Sequence, residues 1–137
     1  MARITAALAL VLAVAAISAC SSAEAETAAP QAGAVTTIAA ADLAQLVEMD
    51  AVRLIDVRTP EEFAEGHLPG AVNVPLDQFD PETLPPAEGK QTILYCRSAR
   101  RSGEAADLLA AHDGEGATHL DGGILAWDAA GLPVANP

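Results

Sequence analysis

Short apolar segments alternate with segments of helical periodicity from residue 35 to the C-terminus. The apolar segments predict strands at residues 35–38, 52–55, 71–74, 92–95 and 117–120. Helices are predicted at residues 41–49, 59–66, 103–111 and 124–130, with single helical turns between 76 and 89. Strands and helices that alternate in this way predict an α/β fold, in which a parallel sheet carries helices on both faces.

The second predicted helix has the clearest start signal. Thr59 is a suitable N-cap residue, Pro60 occupies the first helical position and Glu62 the third. We assign the acidic side chains of this helix, Glu61, Glu62 and Glu65, to its solvated face.

Cys96 stands between a predicted strand and a predicted helix. It is followed by a short cationic segment, Arg97, Ser98, Ala99, Arg100, Arg101 and Ser102. At such a turn the backbone N–H groups and the positive end of the helix dipole stabilise a thiolate, which is the nucleophilic form of cysteine. The alternative is an ordinary buried cysteine, but a structural cysteine rarely lies within a run of arginines. Cys96 is therefore the candidate nucleophile.

The charge of the chain changes this picture in one respect. Seven basic and 19 acidic side chains give a net charge of −12. Nucleic acid is therefore not expected as a partner, because it requires a basic surface. Arg97, Arg100 and Arg101 gather positive charge beside the thiol, which predicts attraction of a small anion.

His112 and His119 are isolated from other metal-ligand residue types, so no metal site is predicted.

The N-terminus predicts export. Residues 4–17 are an almost unbroken apolar run after a basic start, too short to span a bilayer and typical of a signal peptide. Residues 17–20, Ile-Ser-Ala-Cys, resemble a bacterial lipobox, which implies cleavage after residue 19 and lipid attachment to Cys20. Alternatively, Ala-Glu-Ala at 23–25 is the cleavage site of a secreted, soluble periplasmic protein.

These features divide the chain into three parts. Residues 1–19 are the predicted signal peptide, 20–34 a lipid-anchored flexible linker, and 35–137 a single domain. The domain has close to 100 residues, enough for one hydrophobic core. Ser21 in place of aspartate implies the outer membrane in a Gram-negative cell, so we expect a lipid-anchored envelope protein that faces the periplasm. With Cys20 acylated or removed, Cys96 has no partner for an intramolecular disulfide.

Four motifs, in order, identify a family resemblance. They are LIDVR-TPEEF at 54–63, GHLPGAVNVP at 66–75, YCRSARRS at 95–102 and LDGGILAW at 120–127. With them the domain resembles the single-domain rhodaneses, or thiosulfate sulfurtransferases. The resemblance implies a sheet of five parallel strands with helices on both faces. It also implies that Cys96 carries sulfur as a persulfide, with no metal or organic cofactor.

The resemblance further implies the substrates and the roles of the loop residues. Thiosulfate or a persulfide would be the anionic donor, and a thiol or cyanide the acceptor. The N–H groups of residues 97–102 would hold the persulfide charge, and Arg97 and Arg100 would contact the donor. Arg101 resembles the family's loop-closing arginine. Asp56 is either the carboxylate partner of Arg101 or a cap at the strand end, and Arg58 beside it is a supporting residue. We expect a monomer.

One loop residue departs from the family pattern. Ala99 stands where the family usually has glycine, a residue that adopts positive φ without strain. Alanine adopts positive φ at a cost of about 1 kcal/mol, so we expect the loop to form. We expect the substitution to change the rate of sulfur transfer or the preference for a donor.

The length of the loop distinguishes this chain from the phosphatases and arsenate reductases that share the fold. Phosphatases and arsenate reductases of this fold use Cys-x5-Arg, whereas here Arg101 gives Cys-x4-Arg and Ser102 takes the longer spacing. A non-catalytic alternative is a sulfur carrier or binding module that serves one dedicated partner.

Overall fold

The computed structural model describes residues 33–136. Five parallel strands form one sheet in the order β1-β5-β4-β2-β3. The strands are β1 (Val35–Ile38), β2 (Val52–Asp56), β3 (Val72–Asn73), β4 (Gln91–Tyr95) and β5 (Ala117–Leu120). The helices are α1 (Ala40–Glu48), α2 (Pro60–Glu65), α3 (Arg100–Asp113) and α4 (Gly123–Ala129). Each predicted strand and helix is present, and the predicted fold class is confirmed.

Alternating residues of the strands face two separate hydrophobic cores. Leu54, Ile93 and Leu120 belong to the core that contains α1 and α4. Ile55 and Leu94 belong to the core that contains α3. Because both faces of the sheet are covered, β2 and β4 have consecutive buried apolar residues in their carboxyl halves, Leu54–Ile55 and Ile93–Leu94.

Local sequence signals account for the helix ends around the site. The Thr59 hydroxyl accepts the Glu62 N–H, and the Glu62 carboxylate accepts the Thr59 N–H, so the predicted capping box at α2 is present. The segment between β3 and β4 contains two short 3₁₀ turns, Leu76–Gln78 and Pro81–Thr83, as expected.

Two elements, β3 and α3, differ most from the prediction, and the other strands and helices agree with it to within one residue at each end. Strand β3 is only two residues long, because its pairing with β2 is confined to Ile55–Val72 and Asp56–Asn73. Helix α3 begins at Arg100, three residues earlier than predicted. Arg100, Arg101 and Ser102 therefore belong to its first turn, and the segment between β4 and α3 is shorter than the sequence suggested.

The predicted signal peptide, the lipidation site Cys20 and nearly all of the linker lie outside the described residues. Within residues 33–136, no helix has the length and apolar character needed to cross a membrane.

Candidate active site

Cys96 lies at the carboxyl edge of the sheet, directly after β4. Open parallel sheets place their sites at this edge. The residue is only 1% exposed and packs in the core beneath α3. Among residues 33–136 it is the one free cysteine. The thiol therefore lies at the floor of the loop, and a reagent must reach it through the loop rather than across an open surface.

Ala99 makes the turn from this loop into α3. It is the N-cap residue of the helix and has φ 80° and ψ −20°, in the left-handed region. Its carbonyl accepts the Gly103 N–H at 2.9 Å. The chain thus adopts at an alanine the positive φ that the family pattern assigns to glycine, at a cost of about 1 kcal/mol.

The start of α4 holds the other side of the loop. The N–H of Ile124 donates to the Cys96 carbonyl at 2.9 Å, and that of Leu125 donates to the Arg97 carbonyl at 3.2 Å. In a trans peptide the C=O and the following N–H point in opposite directions. The N–H groups of Arg97 and Ser98 are consequently turned away from α4. Backbone N–H groups that point to the same side can stabilise a negative charge.

This contact requires Gly123. Gly123 has φ 61°, and a Cβ built on it would lie against the Cys96 carbonyl and 2.5 Å from the Arg97 carbonyl oxygen. In the sequence, Gly122 and Gly123 directly precede the helix predicted at 124–130. The sequence did not show that the pair lies against the backbone of the candidate nucleophile.

Arg101 pairs with Glu62, not with Asp56. Its two terminal nitrogens donate to the two Glu62 oxygens at 2.7 and 2.8 Å. The proposed Arg101–Asp56 pair was wrong, and so was the assignment of Glu62 to a solvated face, because the two side chains are only about a quarter exposed. Glu62 thereby joins the capped start of α2 to the first turn of α3.

The pairing shifts the pKa values of both groups. The hydrogen bonds from Arg101 lower the pKa of Glu62 from 4.5 to about 2. The hydrogen bonds to Glu62 raise the pKa of Arg101. The two groups are therefore fully charged at neutral pH.

The remaining loop cations are placed differently. Arg100 is exposed and pairs with Glu104 at 2.6 Å, one turn further along α3. Arg97 and Ser98 are exposed, and within the described part of the chain Arg97 takes no part in an ion pair. The positive charge predicted for the loop is thus largely neutralised, and Arg97 is the loop arginine best placed to meet an anion.

Asp56 and Arg58 form a buried ion pair behind the loop. Asp56 is fully buried and Arg58 is 5% exposed. The guanidinium donates to Asp56 Oδ2 at 2.7 Å and to the Gly66 carbonyl at 2.7 Å, and the Arg58 N–H donates to Asp56 Oδ1 at 2.9 Å. Asp56 is therefore the strand-end cap that was the alternative to pairing with Arg101, and it orients Arg58.

Tyr95 is the neighbour of this pair. Burial, followed by the charge of Asp56, raises the pKa of Tyr95 well above its usual range. Burial lowers the pKa of Arg58, but the hydrogen bonds and charge of Asp56 outweigh it, so that the net shift is upward. The hydroxyl of Tyr95 accepts the Leu68 N–H at 3.1 Å, which ties the end of β4 to the segment before β3.

An open cleft of about 480 Å³ lies beside the loop. The turn after β2, the start of α2 and residues 75–78 form its walls, and Arg101 reaches it from α3. It is mixed in character, since Val57 and Leu76 contribute apolar surface while Glu61 and Asp77 contribute carboxylates. Within residues 33–136 no group of three or more His, Cys, Asp or Glu side chains is arranged to hold a metal ion.

The Glu62 pKa gives a pH-dependent prediction. Because the folded pKa of about 2 lies below the ordinary 4.5, this group stabilises the fold above about pH 4.5, and that stabilisation is lost as the pH falls toward 2. Glu62→Gln keeps an oxygen for the Thr59 N–H but loses the charge. We expect its unfolding free energy to fall more at pH 7 than at pH 3, when both are measured by urea unfolding.

Glu61→Gln is the matched control, because Glu61 is the exposed neighbour on the same turn and no ion pair involving it occurs in residues 33–136. It should change stability little at either pH. Equal pH dependence in Glu62→Gln and the parent would contradict the assigned role of Glu62.

Comparison with known proteins identifies relatives of this domain. The model of the Rhodanese-like domain family matches residues 39–130. An uncharacterized protein of Synechocystis is 52% identical over 100 residues, which cover 73% of this chain and 56% of that protein. A sulfurtransferase of Allochromatium vinosum is 34% identical over 93 residues, which cover 68% of this chain and 87% of that protein.

A similar structure has also been solved. The crystal structure of a rhodanese-related protein from Thermoplasma volcanium superposes with a TM-score of 0.65 at 28% identity, covering 74% of this chain and 99% of the other. The similarity thus extends over nearly all of the described domain. The chain spans little more than half the length of the Synechocystis relative.

Proposed function

The chain belongs to the family of rhodanese-like domains, and we propose that it is a sulfurtransferase that carries sulfane sulfur on Cys96. One observation carries the proposal: the Cys96 and Arg97 carbonyls accept hydrogen bonds from the start of α4, so that the following N–H groups point away from that helix. We infer that they face the charge held on Cys96. A loop of this kind suits a negatively charged sulfur at the floor of the site. The names of relatives, such as the sulfurtransferase of Allochromatium vinosum, agree with this kind of chemistry.

The proposed reaction has two steps. The Cys96 thiolate attacks the outer sulfur of thiosulfate, a new S–S bond forms, and the S–S bond of thiosulfate breaks with its electron pair leaving on sulfite. The cysteine is now a persulfide with one negative charge. A thiol or cyanide then attacks the terminal sulfur and releases the Cys96 thiolate. The cysteine itself is the carrier, so neither step needs a metal or an organic cofactor.

The loop residues have separate roles in this scheme. The N–H groups that follow Cys96 stabilise the persulfide charge, as preorganised donors do in other anion-stabilising sites. Arg97 meets the anionic end of the donor. Arg101 holds α3 against α2 through Glu62 and presents its remaining surface to the cleft. Asp56 and Arg58 support the loop from behind.

A persulfide carrier that serves one dedicated partner is the second candidate. The observation that favours it is the neutralisation of Arg100 by Glu104 and of Arg101 by Glu62, which leaves less positive charge for a free dianion. A persulfide on a partner carries a smaller charge than thiosulfate and depends less on free arginines. We place either activity in the cell envelope, on a protein anchored through Cys20.

Two measurements on the purified protein test the proposal. Mass spectrometry after exposure to thiosulfate should show Cys96 heavier by one sulfur atom, and the subsequent addition of cyanide should release thiocyanate. Persulfide loading without catalytic turnover would support the carrier. Failure of both thiosulfate and a low-molecular-weight persulfide to load Cys96 would contradict sulfur transfer, and release of phosphate from a phosphomonoester would point to the phosphatases of this fold.

Ala99→Gly measures the consequence of the unusual loop residue. Because glycine adopts φ near 80° without strain, we expect kcat/KM for thiosulfate to rise by about fivefold. Initial rates of thiocyanate formation check this. Ala106→Gly, a substitution in the interior of α3, is the control for a general effect of glycine on the helix. An unchanged or lower rate in Ala99→Gly would show that the alanine does not limit the loop.

A further inference from the structure

His119 and Ser102 form a buried hydrogen-bonded pair beneath the loop. Ser102 is fully buried in the first turn of α3, and His119, in β5, is 9% exposed. The Ser102 hydroxyl lies 3.0 Å from the Ala99 carbonyl oxygen and 3.1 Å from His119 Nδ1. Neither the sequence motifs nor the sulfur chemistry assigns a role to His119.

The donor directions in this chain of hydrogen bonds follow from the protons available. A hydroxyl has one proton to donate, and Ser102 uses it on the Ala99 carbonyl. The two contacts are hydrogen bonds at the same time only when His119 donates its Nδ1–H to the Ser102 oxygen. Burial lowers the pKa of His119, while the charges of Asp121 and Asp107 oppose this shift. A neutral ring carries one N–H, which in this arrangement is on Nδ1.

The end of this chain of hydrogen bonds is the strained residue of the loop. Ala99 has φ 80°, and its carbonyl is held by the Gly103 N–H and by the Ser102 hydroxyl. Without the hydroxyl only the Gly103 N–H would hold this carbonyl, and an alanine at φ 80° has about 1 kcal/mol to gain by relaxing to negative φ. A glycine would not have the same tendency to relax.

We propose that His119 is a positioning residue, which holds the Ser102 hydroxyl on the Ala99 carbonyl and thereby keeps the Cys96 loop in its left-handed form. This inference rests on the proposed function only for the predicted effect of His119 on the rate of sulfur transfer. The geometry of the loop is a property of the folded chain alone. His119 acts from β5 through α3 and touches no substrate.

Two amide substitutions of His119 distinguish the roles of its two ring nitrogens. The amide nitrogen of Asn can occupy the position of Nδ1, and that of Gln the position of Nε2. We expect His119→Gln to speed amide hydrogen exchange at Gly103, whose N–H is bonded to Ala99, by about tenfold, and to lower kcat/KM for sulfur transfer by about three- to tenfold. His119→Asn should keep both within about twofold of the parent.

The decisive comparison is made in the Ala99→Gly background. If the pair serves to hold a strained alanine, His119→Gln should there change Gly103 exchange by less than about twofold, since a double-mutant cycle isolates this coupling. His112→Gln, at an exposed histidine of α3, is the control and should change nothing. Trp127 fluorescence checks that each variant is folded. Should His119→Gln not fold, Ser102→Ala removes the same bridge from its other end and should behave in the same way.

Two results would overturn the inference. One is equal behaviour of His119→Asn and His119→Gln. The other is a His119→Gln effect that is as large in the Ala99→Gly background as in the parent. Exchange at Gly103 needs no sulfur donor. The predicted exchange pattern in a protein that never loads sulfur would therefore contradict the proposed function and leave the role of His119 intact.

Discussion

Cys96→Ser is expected to abolish persulfide formation and to lower thiocyanate production by about 10⁴-fold or more. Serine is nearly isosteric with cysteine and fits the buried site, but its hydroxyl does not ionise near neutral pH and forms no persulfide. Initial rates with thiosulfate and cyanide, with mass spectrometry of the loaded protein, measure the effect.

Cys20→Ala is the matched control for this substitution. It removes the other cysteine of the chain and leaves Cys96 in place, so sulfur transfer by the domain should be unchanged. Residual turnover in Cys96→Ser, or a persulfide found on a different residue, would refute the assignment of Cys96 as the sulfur carrier.

Gly123→Ala is expected to produce the largest loss of stability among the substitutions considered. The added methyl group meets the carbonyls of Cys96 and Arg97, which are backbone atoms that cannot rotate away, and the residue has φ 61°. Overpacking and the positive φ together suggest a loss of about 3 kcal/mol or more in the free energy of unfolding. Denaturant unfolding followed by the fluorescence of Trp127 measures this loss.

Gly131→Ala distinguishes the cost of a positive φ from the cost of overpacking. Gly131 also has a positive φ, 70°, but a Cβ there meets no atom within 4 Å. We expect it to cost only about 1 kcal/mol and to leave sulfur transfer intact. If the two alanine variants lost the same stability, the close approach of α4 to the loop would not be the reason that Gly123 is needed.

Much of the fold follows from local patterns. The apolar strands, the capping box at Thr59 and the alternation of strand with helix are properties of contiguous residues, and each predicted element is found. The alternation also predicted the parallel direction of the strands, and the family resemblance implied a sheet of five strands, which the structure bears out. The start of α3 was placed too late, because Arg100, Arg101 and Ser102 were assigned to the loop by their charge and polarity rather than by helical spacing.

The errors at the site concern contacts between distant residues. Glu62 was assigned to solvent because it lies on an acidic helix, yet it meets Arg101, 39 positions away in the chain. His119 was set aside as an isolated histidine, and it bonds to Ser102 from the neighbouring strand. The sequence shows that a carboxylate and a histidine occupy these two positions, but it does not show their partners. No local pattern determines which carboxylate a loop arginine pairs with.

The sequence by itself determined the class of the domain, the position of Cys96 after a buried strand and the excess of acidic charge. These depend on residue order and composition. The tertiary structure decided which charges are free, since ion pairing of Arg100 and Arg101 leaves Arg97 as the loop cation without a carboxylate partner in residues 33–136. It also decided how the loop is held, by Gly123 on one side and by Ser102 and His119 on the other. The physical reason is that packing of β4, β5, α3 and α4 brings these groups within hydrogen-bond distance, which spacing along the chain cannot specify.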